Sequence, residues 1–123
     1  MTEVADIIRQ IVNGTESLRD SWSGLSVVIG FDDDGDPDNS YGYAYYPNSV
    51  EAIAPAPWDL EAAIGGYLNT VYKDSPRPRK MLIQFNRPSG RYNIEFEDKD
   101  PGRWQVTPAN IERIREELRP KLD

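Results

Sequence analysis

The sequence contains no cysteine and no histidine among its 123 residues. Without cysteine the chain forms no disulfide bond and offers no thiol nucleophile, and without histidine it has no Ser-His-Asp triad and no imidazole acid-base catalyst. Zinc sites of the usual kind are excluded as well, because cysteine and histidine are their main ligands. We therefore expect no enzymatic activity, no bound metal and no cofactor.

Apolar runs of membrane-spanning length are also missing from the sequence. A transmembrane helix needs roughly 20 consecutive apolar residues, whereas the mean hydropathy of this chain is -0.67. Glu3 and Asp6 lie where a signal peptide would carry basic residues. We expect a cytoplasmic protein with no membrane partner.

Basic residues are outnumbered by acidic ones. The chain has 14 Lys and Arg against 21 Asp and Glu, which gives a net charge of -7 at pH 7. A charge of this sign repels nucleic acid and anionic membranes on average, and it attracts a basic partner. We expect a protein partner of basic character and no nucleic-acid partner.

Apolar residues recur at helical spacing in three segments, which predicts three helices. The first helix is expected over about residues 3–20, with Gly14 as a candidate break, and the second begins near Trp58. Thr107 is the candidate N-cap of the third helix, with Pro108 at its first position. The apolar stripes are Val4-Ile7-Ile8-Ile11-Val12, Leu60-Ile64-Tyr67-Leu68-Val71-Tyr72 and Ile111-Ile114-Leu118.

Alternating apolar residues predict four strands in two hairpins. The first hairpin is expected to join the strands at residues 25–31 and 41–46, and the second joins the strands at 81–85 and 92–96. The segment from Pro47 to Pro57 is expected to be a loop. Residues 1–123 are therefore predicted to form one α+β domain, an antiparallel four-stranded sheet with helices packed on it, in the order α-β-β-α-β-β-α.

Three tyrosines alternate along the second strand and define one of its faces. Tyr41, Tyr43 and Tyr45 lie two residues apart, so their rings project to the same side. This ladder is interpreted as core and cross-strand packing, with an exposed recognition face as the alternative.

Two clusters of carboxylates are the candidate partner-binding residues. The calcium-loop pattern does not fit the first cluster, Asp32 to Asp38, because counting back from Gly35 puts Gly30 at the first ligand position and leaves Phe31 beside it, a poor ligand context. The second cluster consists of Glu95, Glu97 and Asp98. Either glutamate with Asp98 could act as the acid and base of a glycoside hydrolase, which is the alternative. The alternation of Glu95 and Glu97 with apolar residues favours a solvated strand face. The candidates are Asp32, Asp33, Asp34, Asp36, Asp38, Glu95, Glu97 and Asp98.

Element order and a few motifs resemble the YezG-like immunity proteins of bacteria. The matching features are Trp22 before an apolar strand, the tyrosine-rich strand Tyr41 to Tyr46, the strand-turn-strand Asn86 to Phe96 around Gly90, and Arg103-Trp104 before the last helix. The departures are Pro55-Ala56-Pro57 and Gly65-Gly66, which have no place in that pattern.

The resemblance implies a single immunity-protein-like domain, an alpha/beta sandwich that binds and neutralises one cognate secreted toxin, often a nuclease. A chaperone or scaffold for a secreted protein is the alternative, because it would use the same acidic and aromatic features. A carboxylate-dependent hydrolase is the third reading, and it would need a concave pocket around its carboxylates.

Overall fold

The structure is a computed structural model, and it describes residues 4–72, 78–100 and 102–121. Over these residues the chain folds as α+β, with one antiparallel sheet whose strand order is β3-β2-β1-β4-β5. No helix in these ranges is long and apolar enough to cross a membrane. The elements are α1 (Val4–Gly14), β1 (Gly24–Phe31), β2 (Pro37–Tyr46), β3 (Ser49–Ile53), α2 (Pro57–Val71), β4 (Lys80–Asn86), β5 (Arg91–Glu97) and α3 (Ile111–Glu117).

The prediction of a four-stranded sheet is wrong, because the sheet has five strands. The additional strand is β3, which lies inside the segment expected to be a loop. A turn after Tyr46 returns the chain, so that Tyr46 pairs with Ser49 and Gly42 pairs with Ile53. Only Ile53 of this strand is buried, so the apolar alternation that reveals the other strands is too short to reveal this one. The order is therefore α-β-β-β-α-β-β-α.

Both faces of the sheet are buried, and each is covered by a different part of the chain. On one face Leu25, Val27 and Ile29 of β1 pack in a core shared with α1 and α2. On the other face Val28 packs in a second core with α3. The fold has three layers, with the sheet in the middle.

The tyrosine ladder belongs to the second core, as its interpretation as core packing predicted. Tyr43 is 5% exposed and Tyr45 is 2% exposed. The Tyr45 hydroxyl donates to the carbonyl oxygen of Arg115 at 2.6 Å, and its oxygen lies 3.1 Å from Ser26 Oγ. Because the one phenolic hydrogen goes to Arg115, Ser26 is the donor in the second bond. These bonds hold α3 on the sheet.

The ends of two helices differ from their predictions. α1 ends at Gly14 and does not continue to residue 20. α3 begins at Ile111, because Thr107 and Asn110 close a separate turn in front of it. The Asn110 side chain accepts from the Thr107 N–H at 2.7 Å, and the Asn110 N–H donates to the Thr107 carbonyl at 3.1 Å. Thr107 is therefore not the N-cap of α3.

Buried tyrosines make the fold sensitive to alkaline pH. Burial raises the pKa of Tyr41 and of Tyr45 from 10.0 to about 12. Since both folded-state values lie above the unfolded value, their contribution to stability is full below pH 10 and is lost as pH rises toward 12. We expect the free energy of unfolding, measured by urea denaturation, to fall over this window. The double variant Tyr41→Phe/Tyr45→Phe should lose less over the same window, and an equal loss would contradict the assignment.

Gly42 lies where the backbones of β1 and β2 leave no room for a side chain. A Cβ atom at this position would overlap the carbonyl oxygen of Ser26 and the Cα of Val27, both on the central strand. We expect Gly42→Ala to destabilise the protein by roughly 3 kcal/mol, since neither backbone can move away without breaking the ladder. The matched control is Gly14→Ala at the exposed end of α1, where the change should stay within about 1 kcal/mol. Urea unfolding of both variants measures the difference.

Candidate partner-binding site

The turn between β1 and β2 is a preformed acidic loop. Asp32 organises it, because its Oδ1 accepts hydrogen bonds from the backbone N–H groups of Asp34 and Asp36, both at 2.9 Å. The Asp32 N–H in turn donates to the Asp36 carbonyl at 2.9 Å, and Gly35 supplies the positive φ of 82° that the turn requires. One carboxylate therefore shapes the loop that carries the others.

Asp98 lies beside this turn because of the strand order. Gly30 near the end of β1 pairs with Lys80 at the start of β4, and Lys80 pairs with Glu97 at the end of β5. The residues that follow β1 and β5 therefore lie at the same end of the sheet. They line one open cleft of about 460 Å³, formed by Asp32, Asp33, Asp34, Gly35, Pro78, Arg79 and Asp98.

This end of the sheet remains negative although a basic residue lies within it. Arg79 reaches Asp33 at 3.5 Å, but the Asp33 side chain is fully exposed, and exposed ion pairs of this kind contribute little. The Asp98 carboxylate accepts a hydrogen bond from the Tyr72 hydroxyl at 3.1 Å. We call this surface the acidic end, and it consists of Asp32, Asp33, Asp34, Asp36, Asp38 and Asp98.

Glu95 and Glu97, the other two candidates, lie outside the acidic end. Glu95 is an exposed residue in the middle of β5. Glu97 is turned toward its own chain, where it accepts from the backbone N–H groups of Lys99 and Asp100 at 3.1 Å and from Arg103 at 3.0 Å. These donors, the two backbone groups first, hold the pKa of Glu97 below its usual value of 4.5. A general acid needs the opposite shift.

Lys80 is a buried cation that the sequence analysis did not single out. It is 8% exposed, and its Nζ donates to the Arg103 carbonyl at 3.0 Å and to the Tyr41 hydroxyl at 3.2 Å. Burial lowers its pKa below 10.5. The strand alternation was the available signal, because it places Lys80 on the same face as the buried Leu82.

The segment before α3 is fixed by the same cluster. The Tyr41 hydroxyl donates to the Trp104 carbonyl at 2.8 Å, and Trp104 has a φ of 63°, which a bulky residue adopts only when its surroundings impose it. A cleft of about 620 Å³ opens beside this cluster, between Tyr43, Val106 and the half-exposed Ile111. Lys80 thus anchors the connection to α3 at the base of this cleft.

Carboxylates are numerous at the acidic end, but they do not converge on one point. In the described part of the chain, no three Asp or Glu side chains are grouped so that they could hold a metal ion. The acidic end therefore offers an array of separate exposed charges. Such an array suits the Lys and Arg side chains of a protein surface.

Glu97 and Glu95 allow the effect of a hydrogen-bonded carboxylate on stability to be compared with that of an exposed one. Because the folded-state pKa of Glu97 is depressed, its contribution to stability is present above pH 4.5 and is lost as pH falls through the folded value. We expect Glu97→Gln to lower the urea midpoint at neutral pH, and the difference from the unmodified protein should shrink in acid. Glu95→Gln is the matched control on the same strand. An equal loss in that control would contradict the role given to Glu97.

Comparison of the chain with protein-family models and with curated protein sequences finds no match. The resemblance to the YezG-like family stays a prediction. The acidic end is the feature of the molecule that bears on its function.

Proposed function

We propose that this protein is a bacterial immunity protein that binds a cognate secreted toxin of basic character and neutralises it by protein-protein contact. The observation that carries the proposal is the acidic end, where a preformed aspartate turn lies next to Asp98. The resemblance to YezG-like proteins supplies the class of partner, and the net charge of -7 supplies the sign of its surface.

The rigidity of the turn supports a role in binding. Asp32 holds the backbone of Asp34 and Asp36 in place before any partner arrives. A loop that is already ordered loses little conformational entropy on association, so more of the interaction energy appears as affinity. Asp33 and Asp34 project from this loop as exposed charges.

The chemistry of nucleases gives the acidic end a means of inhibition. An enzyme that cuts nucleic acid binds phosphates with Lys and Arg in a basic cleft. Spaced carboxylates accept charge-assisted hydrogen bonds from the same side chains. A bound acidic end therefore occupies the positions that the phosphates of the substrate need, and the -7 charge speeds the encounter at low salt.

A triple charge reversal tests the proposal without disturbing the turn. The variant Asp33→Lys/Asp34→Lys/Asp36→Lys keeps Asp32, which organises the loop. With the toxin domain of the cognate secreted toxin as the probe, stopped-flow association should slow several-fold, and its salt dependence should flatten. Circular dichroism should show an unchanged fold.

A second triple reversal controls for total charge. Glu16→Lys/Asp20→Lys/Glu61→Lys changes the net charge by the same amount at three exposed positions away from the acidic end. Only a small change in association rate is expected, from the long-range field alone. Equal slowing in the two variants would contradict the assignment of the acidic end.

Co-expression measures neutralisation itself. Cells that make the toxin domain should grow when they also make this protein, and growth should fall with the acidic-end reversal. Binding of the toxin domain without recovery of growth would contradict an immunity function and would favour a chaperone or scaffold.

A further inference from the structure

The outer edge of β5 carries unpaired backbone groups. In the β1–β4 ladder, the Arg87 N–H donates to the Ser23 carbonyl at 2.9 Å and the Phe31 N–H donates to the Arg79 carbonyl at 3.1 Å. The backbone N–H and C=O groups of odd-numbered β4 residues therefore point toward β1, and those of even-numbered residues point toward β5. Their partners in β5 are Arg91, Asn93, Glu95 and Glu97.

The intervening residues of β5 must point their N–H and C=O groups away from the sheet, because direction alternates along a strand. These residues are Tyr92, Ile94 and Phe96. β5 ends the sheet, and no described residue forms a backbone hydrogen bond on its outer side. Tyr92 is 52% exposed. The outer side of β5 is thus an open template for another strand.

The β3 edge at the opposite side of the sheet is less suited to pairing. β3 has five residues, and Pro47 and Pro55 flank it. β5 has seven residues and contains no proline. Proline and short length are the usual protections of an exposed edge, so β5 is the less protected edge.

We propose that β5 pairs antiparallel with β5 of a second copy of this chain, about a two-fold axis at Ile94. In this register Ile94 lies opposite Ile94 of the second copy, and Tyr92 lies opposite Phe96. In this register each residue whose N–H and C=O groups point outward lies opposite another such residue. Each of these pairs therefore forms two backbone hydrogen bonds. The two sheets become one continuous sheet.

Charge complementarity selects this partner and this register. Arg91 lies opposite Glu97 of the second copy, and the symmetry produces that pair twice. Arg91 is exposed, and the described residues include no ion pair to it. Glu97 already accepts from Arg103 and from the N–H groups of Lys99 and Asp100, and a carboxylate with about four acceptor sites keeps one on Oε1 for Arg91.

Alternative registers are poorer for physical reasons. A slip of one residue places outward-facing groups against inward-facing ones and removes the hydrogen bonds. A slip of two residues in one direction brings Glu95 opposite Glu95, where like charges repel. The same slip in the other direction brings Gly90, which belongs to the β4–β5 turn, into the pairing.

The second copy also covers apolar surface beside β5 in this arrangement. A cleft of about 430 Å³ lies between α1 and the start of β5, with Ile8, Trp22 and Tyr92 in its lining. Phe96 of the second copy lies directly across from Tyr92 and on the same face. The aspartate turns follow β1, which β4 separates from β5, and they lie at opposite ends of the joined sheet away from the new interface, so dimerisation and toxin binding through these turns are separable.

Single cysteines measure both the association and its register, because the chain has no cysteine of its own. Asn93 and Glu95 of the two copies form a non-hydrogen-bonded pair, in which Cα atoms lie about 4.5 Å apart, within the range of a disulfide. Mixing Asn93→Cys protein with Glu95→Cys protein under mild oxidation should give a crosslinked dimer. Each variant alone should crosslink several-fold less.

The unmodified chain should sediment at twice its mass of 14.0 kDa at high micromolar concentration. Tyr92→Pro removes an outward N–H and places a ring in the path of the second strand, while an edge strand tolerates it. It should weaken dimerisation at least tenfold, with circular dichroism unchanged. Tyr92→Ala keeps the N–H and should weaken dimerisation less.

Several outcomes would overturn the proposal. A chain that sediments as a monomer at all concentrations would leave β5 without a second copy. Preferential crosslinking of Glu95→Cys or Asn93→Cys protein with itself would exclude the register. Equal dimerisation of the Tyr92→Pro variant and the unmodified chain would place the interface elsewhere.

Discussion

Burial of β1 on both faces is the constraint on which the rest of the structure depends. Every residue from Gly24 to Phe31 is buried, with β2 on one side and β4 on the other. An antiparallel sheet often leaves one face in water, but this strand is buried on both faces, with Leu25, Val27 and Ile29 on one side and Ser26 and Val28 on the other. A cover is therefore required on each, and α1 with α2 supplies one while the much shorter α3 supplies the other.

α3 is held by polar contacts to an extent that α1 and α2 are not. A helix of seven residues is not stable alone. Tyr45 binds the Arg115 carbonyl, and the Gln84 side chain donates to the Leu118 carbonyl at 2.8 Å. Lys80 and Tyr41 hold the preceding segment. The second core is small, and hydrogen bonds to backbone carbonyls compensate for its size.

Local pattern was sufficient to predict most of the fold. The apolar stripe of α1 and the alternation in β1 and β4 are signals of single elements, and the structure has them. β3 was missed because its recognition depends on pairing with β2, and the start of α3 was misplaced because Thr107 is used in a turn. The aspartate turn was visible in the sequence, but its approach to Asp98 depends on strand order. The inward turn of Glu97 depends on the backbone N–H groups that follow β5 and on Arg103.

The use of Asp32 as the organiser of its turn has a consequence for how the protein can evolve. Shape and chemistry are assigned to different residues of one short loop: Asp32 determines the backbone, and Asp33, Asp34 and Asp36 present side chains to solvent. Substitutions at the exposed positions leave the hydrogen bonds of the loop in place. A lineage can therefore change which surface it recognises by exchanging these residues, while selection for folding acts on Asp32 and Gly35.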